Sequence, residues 1–231
     1  MDELNDLLRL IKDHTENQPE TAPIWLAKRK LATELRRVSN ILCDSEASEA
    51  DILALAELIR DKADFLQSAQ QEEQAQGSVS SLVPGMETFL DRGPIAGRSN
   101  PISPPASLEI DVDARRVVGE VEFGKAFEGA PGCVHGGFVA AVLDEALGMA
   151  CVFAGGPAMT AELTTRYLRH TPIEMPLKIE AKLDSVEGKR VRTSGRVTSE
   201  GVTVVDSTGL FIAVGTEKFE ALVNAQLDES D

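Results

Sequence analysis

The sequence has no CxxC pair, no HExxH, no GxGxxG, no GxxxxGK[ST] and no GxSxG. Zinc fingers, zinc proteases, nucleotide-binding loops and the serine-hydrolase elbow therefore lack their carrying residues. Cysteine is scarce: Cys43, Cys133 and Cys151 are an odd count without metal-like spacing. Histidine is limited to His14, His135 and His170, so no metal site is expected. Positive charge is short as well. The net charge is −15, spread as −7 over residues 1–76 and −8 over the remainder. That argues against broad nucleic-acid binding, which needs a basic footprint, and against docking on anionic lipid. No apolar run reaches the ~18 residues of a membrane helix, because Asp144 and Glu145 break the best candidate, Phe138 to Val152. The acidic start Met1-Asp2-Glu3-Leu4 does not read as a secretory or transit signal, and a cytoplasmic location is expected.

The chain holds 231 residues, 42% of them hydrophobic, which suits one full domain plus a smaller element. Residues 1–76 read as a helical, hairpin-like extension. Leu4, Leu7, Leu8 and Ile11 form a leader. Ala27, Leu31, Leu35, Val38 and Leu42 make an amphipathic stripe after Pro23, and Ser48-x-x-Asp51 opens a helix carrying Ile52, Leu55, Ile59 and Leu66. Such a unit is too small to fold alone and needs something to pack on. Covering the sheet, extending a dimer and docking a partner all remain open roles for it. Residues 77–107, dense in Gly and Pro, read as an irregular connection. Residues 108–220 read as the main domain and 221–231 as a polar tail. Within the main domain Leu177, Ile179, Ala181 and Leu183 alternate with Lys178, Glu180, Lys182 and Asp184. Val117 to Phe123, Met159 to Leu168, Val191 to Val197 and Val202 to Val214 also read as strands, with turns at Glu187-Gly188 and Glu200-Gly201. One helix, from about Gly136 to Phe153, is apolar around its whole circumference and should be buried. The predicted architecture is α+β: an antiparallel sheet wrapped around a central helix, with one strand before it and about four after.

Asp144 and Glu145 are adjacent on that helix, about 100° apart, so they cannot share one environment. A buried carboxylate must be paired, hydrogen-bonded or shifted in pKa, which makes this pair candidate bases or nucleophiles; a structural ion pair is the competing reading. Pro131-Gly132-Cys133-Val134-His135-Gly136-Gly137 leads into the helix. Its glycines allow close backbone approach, and first-turn N–H groups can hold an oxyanion. A plain tight turn and a hydrogen-bonded structural histidine explain the same residues.

Together, His135-Gly136-Gly137 and Asp144 nine positions after the histidine resemble the hotdog-fold acyl-CoA thioesterases of the PaaI-like branch. Phe127 to Gly137, Met159 to Tyr167, Leu183 to Lys189 and Gly209 to Ile212 extend the similarity, which lies closest to the mammalian mitochondrial long-chain acyl-CoA thioesterase group. It covers about residues 98–215 and leaves out the N-terminal helices. The sequence start does not read as the mitochondrial leader expected of that group. The resemblance implies a hotdog fold with an N-terminal helical extension and hydrolysis of acyl-CoA thioesters. Asp144 matches the nucleophile or general base, and Gly136 the residue whose backbone N–H polarises the thioester carbonyl. Thr160 matches the hydroxyl that bonds the acid or the water, and His135 a supporting histidine. Gly137 belongs to the substrate-binding turn. Arg166, Lys189 and Arg190 are candidates for the coenzyme A phosphates, against their reading as ordinary exposed strand charges. No cofactor is implied, since coenzyme A is part of the substrate. A homodimer or tetramer is implied, with sites between subunits and neither nucleic acid nor membrane as partner. Some relatives carry Asn six residues before the histidine; here that position is Gly129. A non-catalytic acyl-CoA-binding module and a hydratase or dehydratase are the alternatives.

Overall fold

The computed structural model describes residues 23–75 and 91–214. The expected leader over residues 1–22, residues 77–90 of the connection and the polar tail lie outside the described residues. Helix α1 (Pro23–Cys43) and helix α2 (Glu49–Ala75) come first, then strands β1 (Ser107–Asp111) and β2 (Arg116–Glu122). Helix α3 (Gly136–Ala150) follows, and then β3 (Ala158–Tyr167), β4 (Pro176–Glu187), β5 (Arg190–Ser199) and β6 (Val202–Ala213). The six strands form one antiparallel sheet in the order β1-β2-β4-β5-β6-β3. Two strands precede the central helix where one was expected. The extra one, β1, is short and joins β2 through a turn in which Asp111 Oδ1 accepts the Ala114 N–H.

Period-two patterning places the core. Leu177, Ile179 and Ala181 of β4 are buried, as are Val191 and Val197 of β5 and Val205 and Phe211 of β6. Val139, Val142, Leu143, Ala146, Leu147 and Ala150 of α3 meet them. Two-residue turns close the later hairpins. Glu200 and Gly201 both have positive φ (50° and 80°), matching the right-handed twist of the flanking strands.

Two expectations for the central helix need correction. The α-helix ends at Ala150 and tightens into a 3-10 turn over Cys151–Ala154. The helix is also not buried on all sides: the sheet covers one face, while Ala140, Ala141, Asp144, Glu145 and Met149 on the other are half-buried. The stretch Gly136–Ala154 is in fact apolar enough, by length and composition, to cross a membrane. Its packing against β2, β4, β5 and β6 makes it the core helix of this domain.

Helix α1 docks through polar anchors around a small apolar face. Trp25 and Ala32 are its buried residues. Arg29 Nε donates to Oδ1 of the buried Asp91 at 2.9 Å. Arg36 donates to the carbonyls of Arg98 and Asn100. Asn40 Oδ1 accepts the Ala126 N–H, and Lys125 pairs with Asp44 at 3.3 Å. The predicted stripe of Ala27, Leu31, Leu35, Val38 and Leu42 lies away from this anchor face, exposed or half-buried. Ser48 caps α2, accepting the Asp51 N–H and donating to its carboxylate at 2.6 Å. The two helices do not close face to face as a hairpin: from Glu49 to Ala69 every residue is exposed except the half-buried Ile52.

The antiparallel sheet packed on one long helix is the predicted α+β hotdog architecture, with helices ahead of it.

Candidate active site

The loop into α3 is built by backbone bonds. His135 N–H donates to the Phe127 carbonyl, Val134 N–H to the Thr171 carbonyl, and Gly129 N–H to the Cys133 carbonyl. Glu128 accepts the Gly132 N–H at 2.5 Å and Lys125 Nζ at 3.2 Å, and these two bonds hold its carboxyl below the usual range. Gly132 has φ +74°, a backbone state that suits glycine. At Gly129 a Cβ would sit 2.9 Å from the His135 Cα, so the backbone leaves no room there for the asparagine of some relatives.

His135 is the N-cap of α3. Its Nδ1 accepts the Gly137 N–H at 3.2 Å, and its carbonyl accepts the Phe138 N–H. Nδ1 is then an acceptor, and a neutral imidazole carries its proton on Nε2. Two first-turn donors are occupied in this way. The Gly136 N–H keeps no partner among the described residues and points out of the helix start, where the dipole favours negative charge.

Two turns further along, Thr160 Oγ1 donates to Asp144 Oδ1 at 3.0 Å. Strict alternation would put Thr160 on the same face as Glu162 and Thr164. The structure does not, because the pairing of β3 with β6 slips between Thr160 and Glu162. Thr160 therefore faces Phe211 on the helix side, together with Leu163, Thr165 and Tyr167. Tyr167 is a residue the sequence reading missed. Its hydroxyl donates to the Gly136 carbonyl at 2.7 Å. Its ring covers the glycine, so that a Cβ on Gly136 would meet the phenol carbon and oxygen at 3.1 Å. Its status as the single tyrosine of the chain was the available signal. β3 thus grips α3 at two points, Asp144 and Gly136.

Beside Gly136 lies an open cleft of about 350 Å³ lined by Cys133, Tyr167, Arg169 and His170. Glu145 is half-buried, and burial, then the neighbouring Asp144, pushes its carboxyl above the ordinary value. Cys151 is buried and its thiol is pushed up to about 12, which removes it as a thiolate nucleophile.

The structure therefore brings His135, Gly136 and Gly137 together, and separately Asp144 with Thr160. Gly136 and Asp144 stand eight residues apart on one helix, about 12 Å along its axis. The basic candidates lie elsewhere. Arg166 pairs with Asp206 at 3.4 Å on the sheet face away from α3. Arg190 alternates with the buried Val191 and so takes that outer face too. Lys189 sits in the β4–β5 turn, where its carbonyl accepts the Ala213 N–H. Arg190 is in register with Ile212 and Met159, at the Thr160 end of the sheet, whereas Arg166 is at the Tyr167 end. Among the described residues no group of three His, Cys, Asp or Glu side chains could hold a metal ion.

Residues 131–205 match the family described as the Thioesterase superfamily. An acyl-coenzyme A thioesterase THEM4 of Xenopus laevis is 35% identical over 100 residues, 42% of this chain and 45% of that protein. The THEM4 acyl-coenzyme A thioesterase of Bos taurus is 37% identical over 108 residues, 46% of this chain and 44% of its own length. The match thus spans under half the length of these relatives. A crystal structure of a thioesterase superfamily protein is similar at a TM-score of 0.70 and 29% identity, covering 84% of this chain and 92% of that one. Residues 91–214 cannot supply so long a match, so the likeness reaches into the N-terminal helices.

Proposed function

We propose that this chain, whose residues 131–205 carry a thioesterase-superfamily domain, hydrolyses acyl-coenzyme A thioesters to a free acid and the coenzyme A thiol. The names of its relatives support the substrate class. One observation carries the reading: a helix whose first turn offers an N–H donor also carries a carboxylate tethered by a threonine.

The Gly136 N–H donates to the thioester oxygen and to the oxyanion that develops on it. Asp144 is the base. Its Oδ1 is held by Thr160, and its other oxygen takes a proton from the attacking water. Water adds to the carbonyl carbon, the C–S bond breaks, and the thiolate leaves with the electron pair and takes the proton that Asp144 holds, which restores the carboxylate. The scheme draws on no cofactor.

About 12 Å of helix separates the Gly136 donor from the Asp144 base, whereas one carbonyl and its water need both within about 3 Å. In our reading two copies therefore share each site. β3 is an edge strand bonded to β6 on one side. Antiparallel pairing with a second copy about Leu163 and Thr164 would set Thr160 opposite the partner's Tyr167. Asp144, tethered to Thr160, would then approach the partner's Gly136. Lys189 and Arg190, at the Thr160 end, are the cations of this reading for coenzyme A phosphates.

Release of free thiol from short to long acyl-CoAs by wild type and Asp144→Asn tests the assignment. Turnover by wild type, reduced about 100-fold or more in the variant, supports it. Absence of turnover, with acyl-CoA still raising the Tm, would make the chain a binding module instead.

A further inference from the structure

Eleven of the large hydrophobic side chains left exposed belong to α1 and α2. On α2, Leu55, Leu58, Ile59 and Leu66 share one side of the helix and are 38–55% exposed, and on α1, Leu31 and Leu42 are about half exposed. Contiguous exposed apolar stripes of this kind mark surfaces that meet a partner. The helix-forming pattern of α2 finds no body to pack on among the described residues, although packing of an apolar face normally supplies most of a helix's stability.

The charges on the two helices are opposite. α1 carries Lys28, Arg29, Lys30, Arg36 and Arg37 against one acid, Glu34. From Glu49 to Ala69, α2 carries five acids against Arg60 and Lys62. Pairing α2 with another α2 would juxtapose like charges, whereas pairing it with an α1 joins opposite ones. Within one chain α1 is pinned to the domain by Arg29, Arg36 and Asn40, and α2 leaves its end without folding back onto it.

We propose that α2 docks on α1 of a second copy, reciprocally, so that each chain's acidic arm covers its partner's exposed apolar stripe. A two-fold arrangement satisfies both arms at once, since each copy offers one donor helix and one acceptor helix.

The test uses the full chain. Equal amounts of ¹⁴N- and ¹⁵N-labelled protein are mixed until intact-mass measurement shows mixed-isotope oligomers. A carbodiimide then joins the exposed Lys30 of α1 to carboxylates of α2 such as Glu57, Asp61 and Asp64. The α1–α2 cross-linked peptides should be of mixed isotope in about half of cases, the statistical value for a link between two copies. Leu58→Asp with Leu66→Asp should lower their yield at least several-fold without loss of the folded sheet by circular dichroism. Cross-links only between like isotopes would place α2 on its own chain and overturn the proposal. Mixed-isotope oligomers without any α1–α2 link would overturn it while leaving a site shared through β3 intact. A chain that forms no oligomer at all would overturn both.

Discussion

Thr160 Oγ1 donates to Asp144 Oδ1 across 3.0 Å, tying the edge strand of the sheet to the central helix. The bond leaves the second carboxylate oxygen for water and fixes the rotamer of the acid. Thr160→Val keeps the shape and deletes the donor. A hydrogen bond to a charged group at a partly open site is worth about 1–2 kcal/mol, so kcat should fall about 10-fold and the Tm by a few degrees. Thr160→Ser should retain most of the rate. Steady-state thiol release on the three proteins checks this.

Tyr167 holds the other end of the same helix through the Gly136 carbonyl. Tyr167→Phe keeps the ring over the glycine and loses a neutral hydrogen bond worth about 1 kcal/mol. Since the tyrosine positions the turn that presents the Gly136 N–H, the loss should appear mainly in kcat, about 5-fold, with KM little changed. A wild-type kcat for Tyr167→Phe, with only Tyr167→Leu impaired, would contradict a role for the hydroxyl.

Glu145 takes no part in the proposed chemistry, and burial raises its pKa above the unfolded value of 4.5. Folded protein therefore holds this proton more tightly than unfolded protein. Its contribution to stability is present in full below pH 4.5 and is lost as the pH climbs through the raised folded value. Glu145→Gln should raise the Tm at pH 8 and change it little at pH 4, flattening the decline between them. Differential scanning calorimetry across that range reads the slope.

The later strands were legible because their alternation is clean and one face of each is buried, and α3 because one apolar run covers nearly every angle of a helix. β1 was missed because five residues, only partly buried, carry little pattern. The slip in β3 was not legible either. Nothing in Thr160-Ala161-Glu162 marks an irregularity, yet it decides that the threonine faces the acid. The resemblance matches Thr160 to that role without the geometry that allows it. In α1 the apolar stripe is real, but it is not the buried face. The body surface that α1 meets presents Asp91 and backbone carbonyls, which select arginines. Tyr167 lay inside a strand and showed no helical partner in sequence.

The central claim is a thioesterase site that takes Gly136 from one copy and Asp144 from another. Gly136→Pro removes the N–H at the first helical position, where a proline backbone fits and the Tyr167 ring must give by a few tenths of an ångström, and Asp144→Asn removes the proposed base. Each variant alone should be nearly inactive. Co-expressed in equal amounts with different tags, they should recover about one quarter of wild-type thiol release. Half the dimers would be mixed, each with one intact and one doubly impaired site. Purified mixed dimers should reach about half of the wild-type rate per dimer. No recovery in mixed dimers, with wild type active under the same conditions, would contradict the shared site.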